Sequence, residues 1–151
     1  MKIKLLDCTL RDGGYYTNWN FDPPMVKDLI QSLDLACVDV IELGYKSPVK
    51  GGKFRKCNDH KLPVNSKLAF MIDAKDFITQ KGTVNYSLID DVIHDSTDSP
   101  FSICRLAIKI DELEPALLIG KYIKSKGYDL IINLMGISLL NDSQIGSFKK
   151  I

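Results

Sequence analysis

Six side chains combine a useful type with a useful place. Arg11, Asp12 and Tyr15 stand just beyond the first apolar run, Glu42 lies inside "VIELGY", Arg105 inside "FSICRLAIKI" and Asn133 inside "YDLIINLMGI". The last three interrupt stretches apolar enough to be buried. An unpaired buried charge costs several kcal/mol, so Glu42 and Arg105 must be paired, hydrogen-bonded or bound to a ligand. Two readings are open: the two neutralise each other across a sheet, or a polar cluster faces a mouth that takes a ligand or metal. Asp12 follows Arg11 directly, and on an extended chain such neighbours point to opposite sides. They need not pair, and beyond the strand both can lean over one pocket. A carboxylate there suits Mg²⁺ or Mn²⁺, which prefer oxygen ligands and keep exchangeable waters. An arginine suits a carboxylate or an enolate oxygen. As a bare pattern, Arg-Asp-Gly-Gly is also a serviceable turn, and a turn alone accounts for Gly13 and Gly14.

The elements that must position these residues alternate in kind. Strands are expected at residues 3–8, 38–45, 67–73, 101–110 and 128–137. A helix follows Asp22, which caps it, with Pro23 and Pro24 in its first turn and Met25, Val26, Leu29, Ile30, Leu33 and Ala36 as its apolar stripe. Residues 46–66 are polar and read as a long loop, of the kind that is usually functional or mobile. Further helices are expected at 85–95, after Asp111 with Gly127 ending it, and after a cap at Asn141 or Asp142. The near-continuous apolar strands suit a parallel sheet covered on both faces, so the class is α/β. Two architectures fit: a closed, doubly wound, flavodoxin-like domain, or the first five βα units of a (β/α)8 barrel, which needs about 250 residues. In both, ligands bind beyond the carboxyl ends of the strands.

Composition narrows the function classes. The 151 residues carry a net charge of +1, so bulk electrostatics favour neither nucleic acid nor an anionic membrane. Lys53, Arg55 and Lys56 make only a short basic loop, read as solvated surface. Cys8, Cys37, Cys57 and Cys104 include no CxxC pair. Cys8, Cys37 and Cys104 lie in or beside apolar runs, as buried free thiols do, which points to a reducing, cytoplasmic setting. Met1 and Lys2 lead straight into a strand with no signal peptide, and no apolar stretch approaches the ~18 residues of a membrane span. His60 and His94 form no HxH or HxxxH pair and read as surface. No GxGxxG, Walker A or GxSxG motif occurs. Lys46, Lys50 and Lys75 are candidate Schiff-base amines that sequence does not separate.

At this point "LLDCTLRDGGYYTNW" resembles the first-strand signature D-x-T-L-R-D-G of the DRE-TIM metallolyases. That superfamily includes HMG-CoA lyase, the isopropylmalate, homocitrate and citramalate synthases and 4-hydroxy-2-oxovalerate aldolase. The Gly-Gly-Tyr-Tyr-x-Asn-Trp extension is most similar to its aldolase-like members. The likeness continues in order through "VIELGY", "LAFMIDAKDF", "CRLAIKIDELEPAL" and "KGYDLIINLMGIS", over essentially the whole chain.

The resemblance implies that residues 1–151 are the N-terminal part of a single aldolase-type TIM barrel, about its first five βα units. It implies an aldolase or lyase that makes or breaks a carbon-carbon bond beside the carbonyl of a 2-oxo acid or acyl-type substrate, through a metal-stabilised enolate. Asp12 would ligate Mn²⁺ or Mg²⁺, Arg11 would stabilise the enolate oxygen, and Glu42 would act near the metal. Arg105 and Asn133 would bind substrate. Tyr15 stands where the aldolase branch places a basic histidine. The family's remaining metal ligands, an H-x-H on strand seven, have no counterpart here, so the chain is expected to be a fragment, inactive alone. Its open strand edges would need a partner, such as a second copy in a homo-oligomer. The competing functions are a non-enzymatic flavodoxin-like binding or receiver module and a catalytically dead barrel.

Overall fold

A computed structural model of the chain describes residues 3–48 and 63–148. The readings made at Lys50, Lys53, Arg55, Lys56, Cys57 and His60 lie outside the described residues. Five strands, β1 (Leu6–Asp7), β2 (Val40–Tyr45), β3 (Lys67–Asp73), β4 (Ile103–Ile108) and β5 (Asp129–Leu134), form one sheet in the order β1-β2-β3-β4-β5. Every neighbouring pair is parallel. A flavodoxin-like domain would order its strands 2-1-3-4-5, so that alternative falls. The sequential order is that of a stretch of barrel wall, an α/β half-barrel consistent with part of a TIM barrel.

The helices are α1 (Thr9–Thr17), α2 (Pro23–Leu35), α3 (Tyr86–Asp90), α4 (Leu113–Ser125) and α5 (Asp142–Phe148). The outer sheet face, with Ile41, Phe70, Cys104 and Leu106, packs in one core with Ile30, Ile89, Ile119 and Ile123 from the helices. Asn85 caps α3 by accepting the Leu88 N–H at 3.1 Å, and Asn141 caps α5 by accepting the Gln144 N–H at 3.0 Å.

Several boundaries differ from the sequence reading. Asp22 occupies the cap position of α2 but makes no capping hydrogen bond, the two prolines carrying the start. The helix expected at 85–95 stops at Asp90, and Ile93 is buried in a turn closed by its N–H to the Ile89 carbonyl. Asp111 does not cap α4. It lies in a 3-10 turn, Ile110–Glu112, where Glu112 accepts the Lys109 N–H at 2.9 Å. Cys37, expected among the apolar residues, is exposed at φ 59° just past α2. The first strand is the largest departure. Only Leu6 and Asp7 pair with β2, because the Asp7 carboxylate takes the N–H and hydroxyl of Thr9 at 3.0 and 2.9 Å and turns the chain. The residues read as a turn are then helix α1, whose Asp12 N–H reaches the Cys8 carbonyl at 2.9 Å.

Asp34, at the end of α2, anchors the entry to β3. It accepts the Ser66 N–H at 2.7 Å, the Ser66 hydroxyl at 2.8 Å and the Asn65 N–H at 2.8 Å. These bonds, the Ser66 N–H foremost, hold the carboxyl below its ordinary value. A depressed folded pKa contributes stability that is present above the unfolded value of about 3.9 and lost as pH falls through the folded value. Asp34→Asn is therefore expected to lower the melting temperature most near neutrality and least at the acid end, flattening the acid limb of the profile.

The inner sheet face is the less covered one. Leu6, Val40, Ala69 and Ile103 form a small cluster there. Beside it a broad cleft of about 1250 Å³ is lined by Leu6, Val40, Ile103, Arg105 and Ile131, among others. Ile131 is 36% exposed on the outermost strand. An apolar face and an unpaired strand edge are adhesive. Sedimentation velocity on the purified chain should show concentration-dependent association, and Ile131→Lys should reduce it. A strictly monomeric wild type would contradict this.

Candidate active site

In a parallel sheet, residues in register share a face. Glu42, Ala69 and Ile103 form one inward layer, and Asp73, Ala107 and Asn133 another nearer the carboxyl ends. Between them lie Met71, Arg105 and Ile131. Glu42 is completely buried. Its Oε1 lies 3.0 Å from Arg11 Nε, and its Oε2 accepts from Arg105 Nη1. Arg105 Nη2 also donates to Asn133 Oδ1 at 3.3 Å. The sheet thus gathers four of the six sequence candidates. Burial raises the Glu42 carboxyl above its ordinary value, against the downward pull of the two guanidinium groups. Across-sheet neutralisation of Glu42 by Arg105, one of the two open readings, is present, with Arg11 as a second partner. The arrangement is not fully self-satisfied: Arg105 Nε is buried without a hydrogen-bond acceptor among the described residues. A buried donor without an acceptor is costly, and a ligand oxygen would relieve it.

Arg11 reaches this layer because α1 begins directly after β1. Asp12, which on an extended chain would not need to pair with it, does so here, Arg11 Nη1 to Asp12 Oδ1 at 2.5 Å. Opposite-side alternation belongs to strands, and these two residues are helical. The other Asp12 oxygen accepts the Cys8 thiol at 3.1 Å, and the side chain is half-exposed. Burial, then this hydrogen bond to Asp12, raises the Cys8 thiol above its ordinary range. The described residues hold no group of three or more His, Cys, Asp or Glu placed to bind a metal. Asp12 offers one hard oxygen donor and does not by itself make a divalent-cation site.

Gly14 is explained by neither a turn nor mere flexibility. It lies within α1, and a Cβ there would overlap the Trp19 indole. Asn18 and Trp19 both adopt left-handed φ, 51° and 54°, which folds the indole back over Gly14. Trp19 N–H closes the turn on the Gly14 carbonyl at 3.0 Å. Gly13 has no such crowding, with Phe21 in ordinary contact. Alanine within a helix normally gains up to about 1 kcal/mol over glycine. Gly14→Ala should instead cost about 1–3 kcal/mol by overpacking, seen as a lower denaturant midpoint, while Gly13→Ala should be neutral or stabilising.

The aromatics form a rim. Tyr15, Trp19 and Tyr45 pack edge to face, with centroids 4.9–6.2 Å apart. The hydroxyls of Tyr15 and Tyr45 are 2.8 Å apart. Tyr15 is 59% exposed, so the side chain that stands where the aldolase branch places its histidine sits at the outer end of the cluster. Tyr45, which the sequence did not single out, lies deeper. Its ring centre is 5.9 Å from the Arg11 guanidinium carbon. Sequence spacing hides it: residues 42 and 45 of a regular strand face opposite ways. A bulge between Glu42 and Tyr45, with Gly44 at φ 156°, puts Tyr45 in register with Met71 and so on the Arg105 face.

The same bulge sends Lys46 outward. Its Nζ lies 4.7 Å and 5.3 Å from the ring centroids of Phe70 and Phe101 in the outer core, and burial lowers the amine below its ordinary range. Lys75 pairs with Asp73 at 2.9 Å. Neither candidate Schiff-base amine among the described residues joins the cluster. His94 is exposed, its carbonyl accepting the Tyr128 hydroxyl at 3.0 Å.

Comparison with known proteins adds one finding. No family model and no curated protein matches the chain. Among solved structures, the crystal structure of the N-terminal domain of a "putative aldolase" from Bacteroides vulgatus is similar. The TM-score is 0.70 at 27% sequence identity, over 97% of this chain and 50% of that one. The chain therefore spans half the length of the solved chain it matches. No helix among the described residues is long and apolar enough to cross a membrane.

Proposed function

We propose that residues 1–151 form the N-terminal part of an aldolase-type barrel that makes or breaks a carbon-carbon bond beside the carbonyl of a 2-oxo acid. The observation that carries this reading is the buried Arg11–Glu42–Arg105 arrangement on the inward face, in a chain similar to the N-terminal domain of a protein named a "putative aldolase". Bond cleavage beside a carbonyl leaves an enolate. Fixed positive charge where that charge develops lowers the barrier. Arg11 supplies it. Arg105, with its free Nε–H and its link to Asn133, binds the substrate carboxylate. Glu42 holds the two guanidinium groups apart and oriented. In the DRE-TIM resemblance a Mn²⁺ or Mg²⁺ ion would take Asp12 as one ligand. The others would come from outside the described residues, and the ion would polarise the carbonyl. The substrate is a small molecule.

The test is cleavage of 4-hydroxy-2-oxo acids by the full-length protein, followed by release of the 2-oxo acid. Turnover is expected there and not in the isolated 151-residue chain. Clear turnover by the isolated chain would overturn the reading that residues 1–151 need the rest of a barrel to act. None by either protein across a series of such acids would overturn the reaction.

A further inference from the structure

We propose that Tyr45 is a second oxyanion donor, working beside Arg11 on the same substrate oxygen. The inference rests on the enolate reading above and names a residue that reading does not use. Three observations lead to it. First, the bulge at Gly44 places Tyr45 on the face of Glu42 and Arg105, one layer nearer the carboxyl ends of the strands. Bulges recur where a side chain is re-aimed at a site. Second, the Arg11 guanidinium carbon lies 5.9 Å from the centre of the Tyr45 ring, so an oxygen held by Arg11 lies close to the phenol.

Third, its hydrogen-bond inventory leaves one hydrogen to give. A phenol has one O–H and oxygen lone pairs. Arginine is only a donor, so any bond between Arg11 and Tyr45 uses a Tyr45 lone pair. The Tyr15 hydroxyl is 2.8 Å away, and either oxygen of the pair can be the donor. A phenol O–H rotates about its C–O bond, so in the arrangement where Tyr15 donates to Tyr45 the Tyr45 hydrogen is released to point into the site. Burial raises the Tyr45 phenol above its ordinary value, so it keeps its hydrogen at neutral pH. Tyr15 is thereby a positioning residue: it turns the Tyr45 hydroxyl and does not touch substrate. No proton is transferred in this role. The hydrogen bond tightens as negative charge grows on the oxygen.

The experiment follows deuterium exchange at C3 of pyruvate in D₂O by NMR, using the full-length protein and its Tyr45→Phe and Tyr15→Phe variants. Exchange reports enolate formation alone. Both changes keep the ring, and with it the edge-to-face packing. Removing one oxyanion donor costs about 10²–10³ in rate, so Tyr45→Phe should lower the maximal exchange rate about 100-fold at little-changed KM. Tyr15→Phe should lower it about tenfold, the scale of one misaligned hydrogen bond. Exchange by the wild type with Tyr45→Phe within threefold of it overturns the Tyr45 assignment and leaves the proposed reaction standing. If Tyr45→Phe does not fold, Tyr15→Phe decides: an unchanged rate overturns the inference and a tenfold loss supports it. No exchange by the wild type overturns the reaction and this inference together.

Discussion

Replacing Glu42 by glutamine is expected to destabilise the chain by about 3–5 kcal/mol, the cost of breaking a buried ion cluster from one side. Glu42 is fully buried, with one oxygen toward Arg11 and the other toward Arg105. Both arginines stay charged at any ordinary pH. The amide keeps the shape but removes the only negative charge that Arg105 contacts among the ion pairs of the described residues. Arg11 retains Asp12, which is half-exposed and so a weaker partner. The loss should appear as a lower denaturant midpoint with an unchanged slope, since the surface exposed on unfolding is the same. A Glu42→Gln, Arg105→Gln double variant should be less destabilised than the sum of the two single changes. Strict additivity would mean that the pair does not couple.

Arg11→Gln in the full-length protein should lower turnover about 10²–10³-fold, the effect of removing one oxyanion-stabilising group. The physical question is whether Arg11 is a structural counter-ion or a catalytic cation. Its guanidinium is mostly buried and already meets Glu42, Asp12 and Tyr45. A purely structural role would show as lost stability with near-normal turnover in the folded fraction. A catalytic role lowers kcat with little change in KM, because the charge it meets exists mainly in the transition state. Arg11→Lys should recover part of the loss. It keeps the charge but loses the planar fork that meets Glu42 and Asp12 together.

The strands were legible because each is an apolar run bounded by polar residues. β3 has the bounds expected, Lys67–Asp73, with a lysine and an aspartate closing a buried stretch. Glu42 and Arg105 were legible for the same reason, since a charge inside such a run must be answered. Which partners answer them was not, because that depends on the register of β2, β3 and β4 and on where α1 starts. Arg-Asp-Gly-Gly was misread because double glycines usually mark turns. Gly14 serves a tertiary contact with Trp19 that no local pattern reveals. Tyr45 was invisible because alternation assigns it to the wrong face, and a bulge is a property of strand pairing. The choice between a closed five-strand domain and a piece of barrel rested on strand order, which periodicity does not contain.

The central claim is that this inward cluster stabilises the enolate of a 2-oxo acid. It is tested most directly by the C3 proton signal of pyruvate in D₂O with the full-length protein. Protein-dependent loss of that signal is expected, suppressed about 100-fold or more by Arg11→Gln. A wild-type protein that leaves the signal intact, or an Arg11→Gln variant that exchanges as fast as the wild type, would contradict it.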